Sequence, residues 1–242
     1  MADSIEFSPR GYAQLISALR AREYEPRNFT TADPEKKHLI IRHDVDFSLE
    51  AAAAMAEQER ELGVSAIYFI LLRTEFYNPL SQDGLLALQR IAECGHEIGL
   101  HFDAALYPAQ RAEVEAAIAH ECALLEAVIG GAVSTISFHR PAADRIGDAN
   151  SLAGRLNAYG PRFVKDMGYC SDSRGGWHHG EPPDHPAVRE GRALQLLIHP
   201  FWWQHPAMSP AERLQLFLKQ RGEFLDQELA RNCTVHRPRA GA

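Results

Sequence analysis

The chain has 242 residues, of which 45% are apolar, and carries a formal net charge of −7. This length and composition suffice for a full hydrophobic core, so we expect one domain over residues 1–242. The acidic charge disfavours nucleic-acid binding, and no apolar stretch approaches the roughly 20 residues that a membrane-spanning helix needs. The four cysteines form no Cys-x-x-Cys pair and the first residues show no signal peptide. We therefore expect a reduced, cytoplasmic protein.

Predicted helices and strands alternate over the first 140 residues. In chain order they are a helix over 9–20, a strand over 38–43, a helix over 48–62, a strand over 65–72, a helix over 82–94, a strand over 97–102, a helix over 109–129 and a strand over 133–138. Such alternation indicates βαβ units and a parallel α/β sheet or barrel.

The alternation weakens over residues 142–192, which are rich in Gly, Pro, Asp and Asn. A short strand is predicted near 162–171 within this segment. A strand over 193–198 then leads to a final helix over 209–230, which a Ser-Pro pair begins. We expect 142–192 to form a loop-rich side of the functional site.

Several predicted strands end in ionisable residues. The segments are Leu39-Ile40-Ile41-Arg42-His43-Asp44-Val45-Asp46, Ile98-Gly99-Leu100-His101-Phe102-Asp103, Ile136-Ser137-Phe138-His139-Arg140-Pro141 and Leu196-Leu197-Ile198-His199-Pro200. In barrels and doubly wound folds, active sites are built where parallel strands end. We therefore expect these side chains to converge.

Alternation along a strand sorts the residues of the first segment. Asp44 and Asp46 share one face, whereas His43 points to the other and is expected to pack behind the strand. Two carboxylates, with a histidine from a neighbouring strand, suit a metal site with oxygen and nitrogen ligands and a spare base. The alternative is that the two aspartates cap the following helix.

Distance separates the two histidines of the next segment. Five strand residues place His96 and His101 roughly 16 Å apart, too far to bind one ion. His96 lies where the strand begins and is expected to be structural. His101 lies where the strand ends, with the other candidate residues.

The third segment leaves alternatives open. A straight strand directs only one of His139 and Arg140 into the site, but the turn imposed by Pro141 permits both. Arg140 is expected to hold the Asp44 carboxylate in place and ionised. His139 is a candidate third metal ligand, and Asp103 is the alternative.

The last segment predicts an acid–base group. His199 follows an apolar strand and suits proton transfer near neutral pH. Asp172, in a loop before this strand, is its candidate orienting partner. Trp177, in a glycine-rich loop, is a candidate for substrate binding by stacking on a sugar ring.

The order of these motifs resembles that of the polysaccharide deacetylases, which include chitin and peptidoglycan N-deacetylases. The resemblance spans about 38–203, leaving 1–37 as a helical N-terminal extension, and is greatest to a divergent branch from bacterial surface-polysaccharide gene clusters. It rests on His43-Asp44-Val45-Asp46, on Gly95-His96-Glu97-Ile98-Gly99-Leu100-His101, on Arg140-Pro141 and on Leu196-Leu197-Ile198-His199-Pro200, with a looser match around Asp172 and Trp177. It implies a distorted, incomplete (β/α) barrel.

The resemblance also implies residue roles. Asp44 would be the general base, Asp46 and His101 metal ligands, and His199 the catalytic acid. The family's second ligand histidine follows the first by four residues, and here that position is Ala105. Either His139 or Asp103 replaces it, or the site binds metal weakly, or the protein works without metal.

The sequence thus predicts a hydrolase that uses a divalent metal, with zinc expected, to cleave a carbon–nitrogen amide bond. The expected substrate is an N-acetylated sugar, carried on a nucleotide- or lipid-linked glycan precursor. The alternatives are metal-assisted hydrolysis of a phosphoester or cyclic amide, and a catalytically silent barrel that binds carbohydrate. The sequence does not define the oligomeric state.

Overall fold

The computed structural model of the protein describes residues 5–178 and 180–238, without the side chain of Asp144. Within these ranges the α-helices are α1 (Pro9–Arg20), α2 (Leu49–Leu62), α3 (Gln82–Glu93), α4 (Arg111–Ile129), α5 (Pro161–Val164), α6 (Pro186–Arg189) and α7 (Pro210–Asn232). The long helices lie where the sequence predicts them.

The strands of the described chain join one sheet. They are β1 (Glu25–Pro26), β2 (His38–Val45), β3 (Ile67–Leu71), β4 (Glu97–Phe102), β5 (Thr135–Phe138), β6 (Ser151–Leu152), β7 (Arg155–Asn157), β8 (Gly168–Ser171) and β9 (Leu194–Ile198). Their order is β6-β7-β5-β4-β3-β2-β9-β8, with β1 paired to β2. Every pair is parallel except the β6–β7 hairpin.

The curled sheet forms a half-barrel with flanking helices. Among the described strands, β6 and β8 are the edges and do not pair with each other, so the barrel is incomplete. The predicted α/β fold, a distorted, incomplete (β/α) barrel, is therefore confirmed. All residues of β2, β3, β5 and β9 are buried, as expected for strands covered on both faces.

The segment 142–192 differs in detail from its prediction. The strand expected near 162–171 begins only at Gly168, because Gly160-Pro161 starts the short helix α5. Proline fixes a helical φ and lacks a backbone donor, so it favours the first turn of a helix. The hairpin of β6 and β7 was not predicted, since its strands are too short to show alternation.

Helix ends follow the expected local chemistry. Ser48 caps α2 by accepting a hydrogen bond from the Ala51 amide, and Gly63 ends the helix with a φ of 68°. Asp44 and Asp46 are therefore not the caps of α2, and the alternative reading of these two residues is wrong. Ser209 begins α7 with a capping box that Glu212 completes.

The parallel register brings the ends of four strands to one rim. Asp44 on β2 is level with Phe69 on β3, and His101 on β4 is level with Leu71. On the other side of β2, His43 is level with Ile198 on β9, directly before His199. The residues that follow β2 and β5 project from the same rim.

No helix among the described residues combines the length and apolar character needed to cross a membrane.

Candidate metal centre

Three side chains from different strands meet at this rim: Asp46, His101 and His139. Asp46 Oδ1 lies 3.2 Å from His101 Nε2 and 3.4 Å from His139 Nδ1. The two nitrogens lie 3.3 Å from each other. The three atoms thus form a nearly equilateral triangle.

This triangle fits a divalent ion. Zinc bonds of about 2.0–2.1 Å in a tetrahedron place neighbouring ligand atoms about 3.3 Å apart. Asp46 Oδ1 is buried, yet it makes no hydrogen bond with any group of the described chain. A buried carboxylate oxygen without a donor is costly, and a bound cation would satisfy it.

The backbone orients His101 for this purpose. Its Nδ1 lies 3.3 Å from the Ser137 carbonyl oxygen, which can only accept a hydrogen bond. The proton of a neutral imidazole is then on Nδ1, and the Nε2 lone pair faces Asp46. Metal-binding histidines are commonly held in this way by a carbonyl on the other nitrogen.

Electrostatics keeps the Asp46 carboxyl ionised. Burial alone would raise the pKa of the Asp46 carboxyl, but the neighbouring imidazoles of His101 and His139 lower this pKa below its usual value. Asp46 is therefore a carboxylate at neutral pH, the form that binds metal.

Of the two candidates for the third ligand, the structure places His139 in the cluster. Asp103 is engaged elsewhere: its Oδ2 accepts from Arg140 at 2.7 Å, and its Oδ1 accepts from the Ala105 amide at 3.1 Å. Ala105 itself lies in a single 3₁₀ turn after β4. The histidine that joins Asp46 and His101 therefore lies directly after β5, and position 105 contributes no side chain that could bind a metal.

Asp44 lies beside the cluster, buried and paired with an arginine. Its Oδ2 is 3.7 Å from His101 Nε2, and Arg42 donates to both of its oxygens. Burial would raise the pKa of Asp44, but the Arg42 guanidinium lowers this pKa below its usual value. Asp44 is therefore ionised at neutral pH.

The contacts of Arg140 differ from the prediction. Its guanidinium pairs with Asp103 and not with Asp44, and 73% of its side chain is exposed. A left-handed backbone, with φ of 47°, follows His139 and directs the two side chains to different partners. The expectation that Arg140 holds Asp44 is thus wrong, and Arg42 makes that contact.

His199 and Asp172 are paired as predicted. His199 Nδ1 donates to Asp172 Oδ1 at 2.6 Å, and the His199 amide also donates to this carboxylate. Asp172 is fully buried, and Trp203 Nε1 donates to its second oxygen at 2.7 Å. The carboxylate is therefore held by several donors and fixes the imidazole in turn.

This pairing changes the charge of His199. Burial would lower the pKa of the imidazole, but the Asp172 carboxylate outweighs it and raises the pKa of His199 to about 9. The ring is thus protonated at neutral pH. Its free nitrogen, Nε2, lies 3.8 Å from Asp46 Oδ2 and so faces the metal centre.

The remaining histidines of the motifs lie behind the sheet. His43 Nε2 is 2.8 Å from the carboxylate of Glu59 on α2, which also accepts from Tyr12 and Tyr68. The two ring nitrogens of His96 bond the carbonyl oxygen of Ala56 on α2 and the amide of Ala66 directly before β3. As predicted, both residues pack away from the metal centre.

Trp177 lies in an aromatic layer behind Asp172. Its ring centroid is 5.7 Å from Phe7 and 6.0 Å from Trp203, and its indole nitrogen is buried without a partner in the described chain. Its role in substrate binding remains a prediction.

Two contributors to the site were missed from the sequence. Arg42 lies directly after the apolar run of β2, and by simple alternation it shares the face of Asp44 and Asp46. Trp203 donates to Asp172 across the fold, and no local sequence pattern indicates this contact.

Comparison with solved structures finds carbohydrate esterases of family 4. The deacetylase PplD of Streptococcus pyogenes, in complex with acetate, is 14% identical, with 88% of this chain and 89% of that chain covered and a TM-score of 0.45. An acetyl xylan esterase from Clostridium thermocellum, in complex with a cobalt ion, is 16% identical, covering 76% and 84%, with a TM-score of 0.41.

A family 4 pseudoenzyme from Bacillus anthracis is 15% identical over 78% of this chain, with a TM-score of 0.40, and the match spans 61% of that protein. No protein-family model and no curated protein sequence matches the chain. Identities this low leave the chemistry to be inferred from the side chains described above. In fold as in motif order, the chain resembles the polysaccharide deacetylases of carbohydrate esterase family 4.

Proposed function

We propose that the protein is a metal-dependent hydrolase that removes the acetyl group from an N-acetylated sugar. The observation that carries this proposal is the triangle of Asp46, His101 and His139, flanked by the carboxylate of Asp44 and the imidazole of His199. A cation site with an ionised base beside it and a protonated acid facing it is an arrangement suited to amide hydrolysis.

Asp46, His101 and His139 would hold the ion through one oxygen and two nitrogens. When bound, a divalent ion polarises a carbonyl oxygen and lowers the pKa of a bound water molecule. The mixed donor set of carboxylate and imidazole suits zinc and other first-row divalent ions.

Asp44 would act as the general base that takes a proton from the attacking water. Its lowered pKa keeps the carboxylate ionised at neutral pH, so it can accept a proton as soon as the water is acidified. Its position next to His101 places it at the edge of the metal centre.

His199 would act as the general acid for the departing amine. An amine is a poor leaving group unless it is protonated, and His199 carries a proton at neutral pH. Asp172 holds the ring through Nδ1, which leaves Nε2 directed to the centre.

The proposed substrate is an N-acetylated sugar within a glycan precursor in the cytoplasm. Acetate release from free, nucleotide-linked and oligomeric N-acetyl sugars, measured with purified protein of known metal content, tests the proposal. Acetate release that requires bound metal supports it. Bound metal without acetate release from any of these sugars contradicts it and favours hydrolysis of another bond.

A further inference from the structure

We propose that Arg42 is the positioning residue for the base Asp44, the task that the sequence predicted for Arg140. The proposal rests on the function proposed above, because it concerns how that base is held. It makes the base and its cationic partner neighbours on a single strand, β2.

The contact between Arg42 and Asp44 is bidentate. Arg42 Nε donates to Asp44 Oδ1 at 2.9 Å, and Nη2 donates to Oδ2 at 2.8 Å. Two parallel bonds between a guanidinium and a carboxylate fix the plane of the carboxylate as well as its distance. The ammonium group of a lysine at this position would attract the carboxylate but would not fix the orientation of its plane.

Arg42 is itself held rigidly. Its Nη1 donates to Gln195 Oε1 on β9 at 3.2 Å, and its Nη2 also donates to Ser137 Oγ on β5. The guanidinium lies 4.3 Å from the centroid of the Tyr159 ring and 5.4 Å from that of Phe69. Partners on two other strands and two aromatic rings thus fix the position of the guanidinium group before the substrate binds.

Arg42 and Arg140 differ in how far their side chains are buried. The side chain of Arg42 has no exposed surface, and that of Asp44 is 3% exposed. Arg140, by contrast, is largely exposed and paired with Asp103. If one member of a buried ion pair is lost, the charge of the other member stays buried without a partner. Water does not reach this site, so it would not take over the contact that Arg42 makes with Asp44.

The chemical consequence lies in the orientation of Asp44. The base must reach a water molecule beside His101, and only part of its lone-pair surface remains free of Arg42 and Ser137. A small rotation of this carboxylate would direct it away from that water. Arg42 should therefore affect the catalytic step and not the binding of substrate or metal.

The test compares three conservative arginine-to-lysine substitutions in the metal-loaded protein. Arg42→Lys keeps a positive charge but loses the two-point contact with the carboxylate. We expect kcat to fall about 100-fold, which is the effect of displacing a reacting group by about 1 Å. KM and metal affinity, measured by calorimetric titration, should stay within about threefold of wild type. Arg140→Lys should lose less than tenfold in kcat.

Arg90→Lys is the matched control. Arg90 donates through two nitrogens, Nε and Nη2, to one oxygen of the exposed Glu57 carboxylate, on the helical side of the protein. Its substitution should leave kcat and KM unchanged. If Arg42→Lys unfolds the protein, Ser137→Ala replaces it: loss of that hydroxyl loosens Arg42 and Asp44 together and should lower kcat by about tenfold with an unchanged KM.

Wild-type kcat in Arg42→Lys, or an equal loss in Arg140→Lys, would overturn the assignment. A loss confined to KM or to metal affinity would do so too. Failure of the proposed function looks different, because Asp44→Asn would then also retain full activity, or wild-type protein would release no acetate.

Discussion

Arg42 and Asp44 lie two residues apart on strand β2 and form a buried ion pair through two hydrogen bonds. A side chain period of two places them on the same face of the strand, and Asp46 continues that face into the metal centre. The proposed base, its counter-ion and one proposed metal ligand therefore come from a single run of five residues. Their relative positions depend on one strand and not on loop conformation.

The first prediction concerns the base. Asp44→Asn keeps the size of the side chain and one acceptor oxygen, but it removes the negative charge. We expect acetate release to become undetectable while the fold persists, with a stability loss of about 3–5 kcal/mol because the buried Arg42 charge loses its partner. Activity assays together with thermal unfolding check this. A variant with wild-type turnover would exclude Asp44 as the base.

The second prediction concerns the metal ligands. His139→Ala removes one of the three proposed ligand atoms. Mutating a group that hydrogen-bonds a metal ligand lowers metal affinity by about 10–100-fold, so removing a ligand itself should lower it by more than about 100-fold. Titration of metal-free protein with Zn²⁺ measures this directly. His120→Ala, an exposed histidine on α4, is the matched control and should bind as wild type. Equal Zn²⁺ affinities for the two variants would show that His139 is not a metal ligand.

The third prediction concerns the acid. In Asp172→Asn the amide NH₂ would face either His199 or Trp203, both of which donate to the carboxylate in the native protein. We expect kcat to fall at least about 100-fold, the contribution of a positioned acid. The pKa of His199 should fall as its carboxylate partner is lost, so the alkaline limb of the remaining activity should move to lower pH. A pH–rate profile with an unchanged alkaline limb would contradict the pairing.

The fourth prediction uses Glu59, the buried carboxylate behind the sheet. Burial would raise the pKa of Glu59, but His43 and the other donors lower this pKa below its usual value of 4.5. Below about pH 4.5 the unfolded chain binds a proton that the folded chain does not, so the stabilisation from Glu59 is present above this pH and is lost as the pH falls through the folded-state pKa.

Glu59→Gln should therefore lower the free energy of unfolding at pH 7 by about 1–3 kcal/mol. The difference in the free energy of unfolding between this variant and wild type should become smaller as the pH falls towards about 3. Urea unfolding at a series of pH values measures both effects. Glu57→Gln, on the exposed side of the same helix, is the control and should lower the free energy of unfolding at pH 7 by less than about 1 kcal/mol. A constant difference across the whole range would show that Glu59 is not ionised in the folded protein.

The sequence was most informative where local rules apply. Helical spacing of apolar residues located the long helices, and short continuous apolar runs located the buried strands. Alternation along β2 also assigned His43 to the opposite face and Asp44 and Asp46 to the site. Because the carboxyl ends of parallel strands share a rim, the convergence of Asp46 and His101 followed from the predicted topology.

It was least informative where a side chain's partner depends on the path of a turn. The left-handed residue Arg140 separates two neighbouring side chains, so His139 enters the cluster while Arg140 turns to Asp103. No pattern of residue types reports such a φ angle for a non-glycine residue. The alternation rule places Arg42 on the face of Asp44 and Asp46, but it does not show which arginine pairs with Asp44.

The most direct measurement of the central claim is acetate release from N-acetylated sugars before chelation, after chelation, and after one equivalent of Zn²⁺ is restored. If Asp46, His101 and His139 hold the ion that hydrolysis requires, release should stop on chelation and return with a single bound equivalent. Release that continues at the same rate in metal-free protein would contradict this account, and so would a fully metal-loaded protein that releases none.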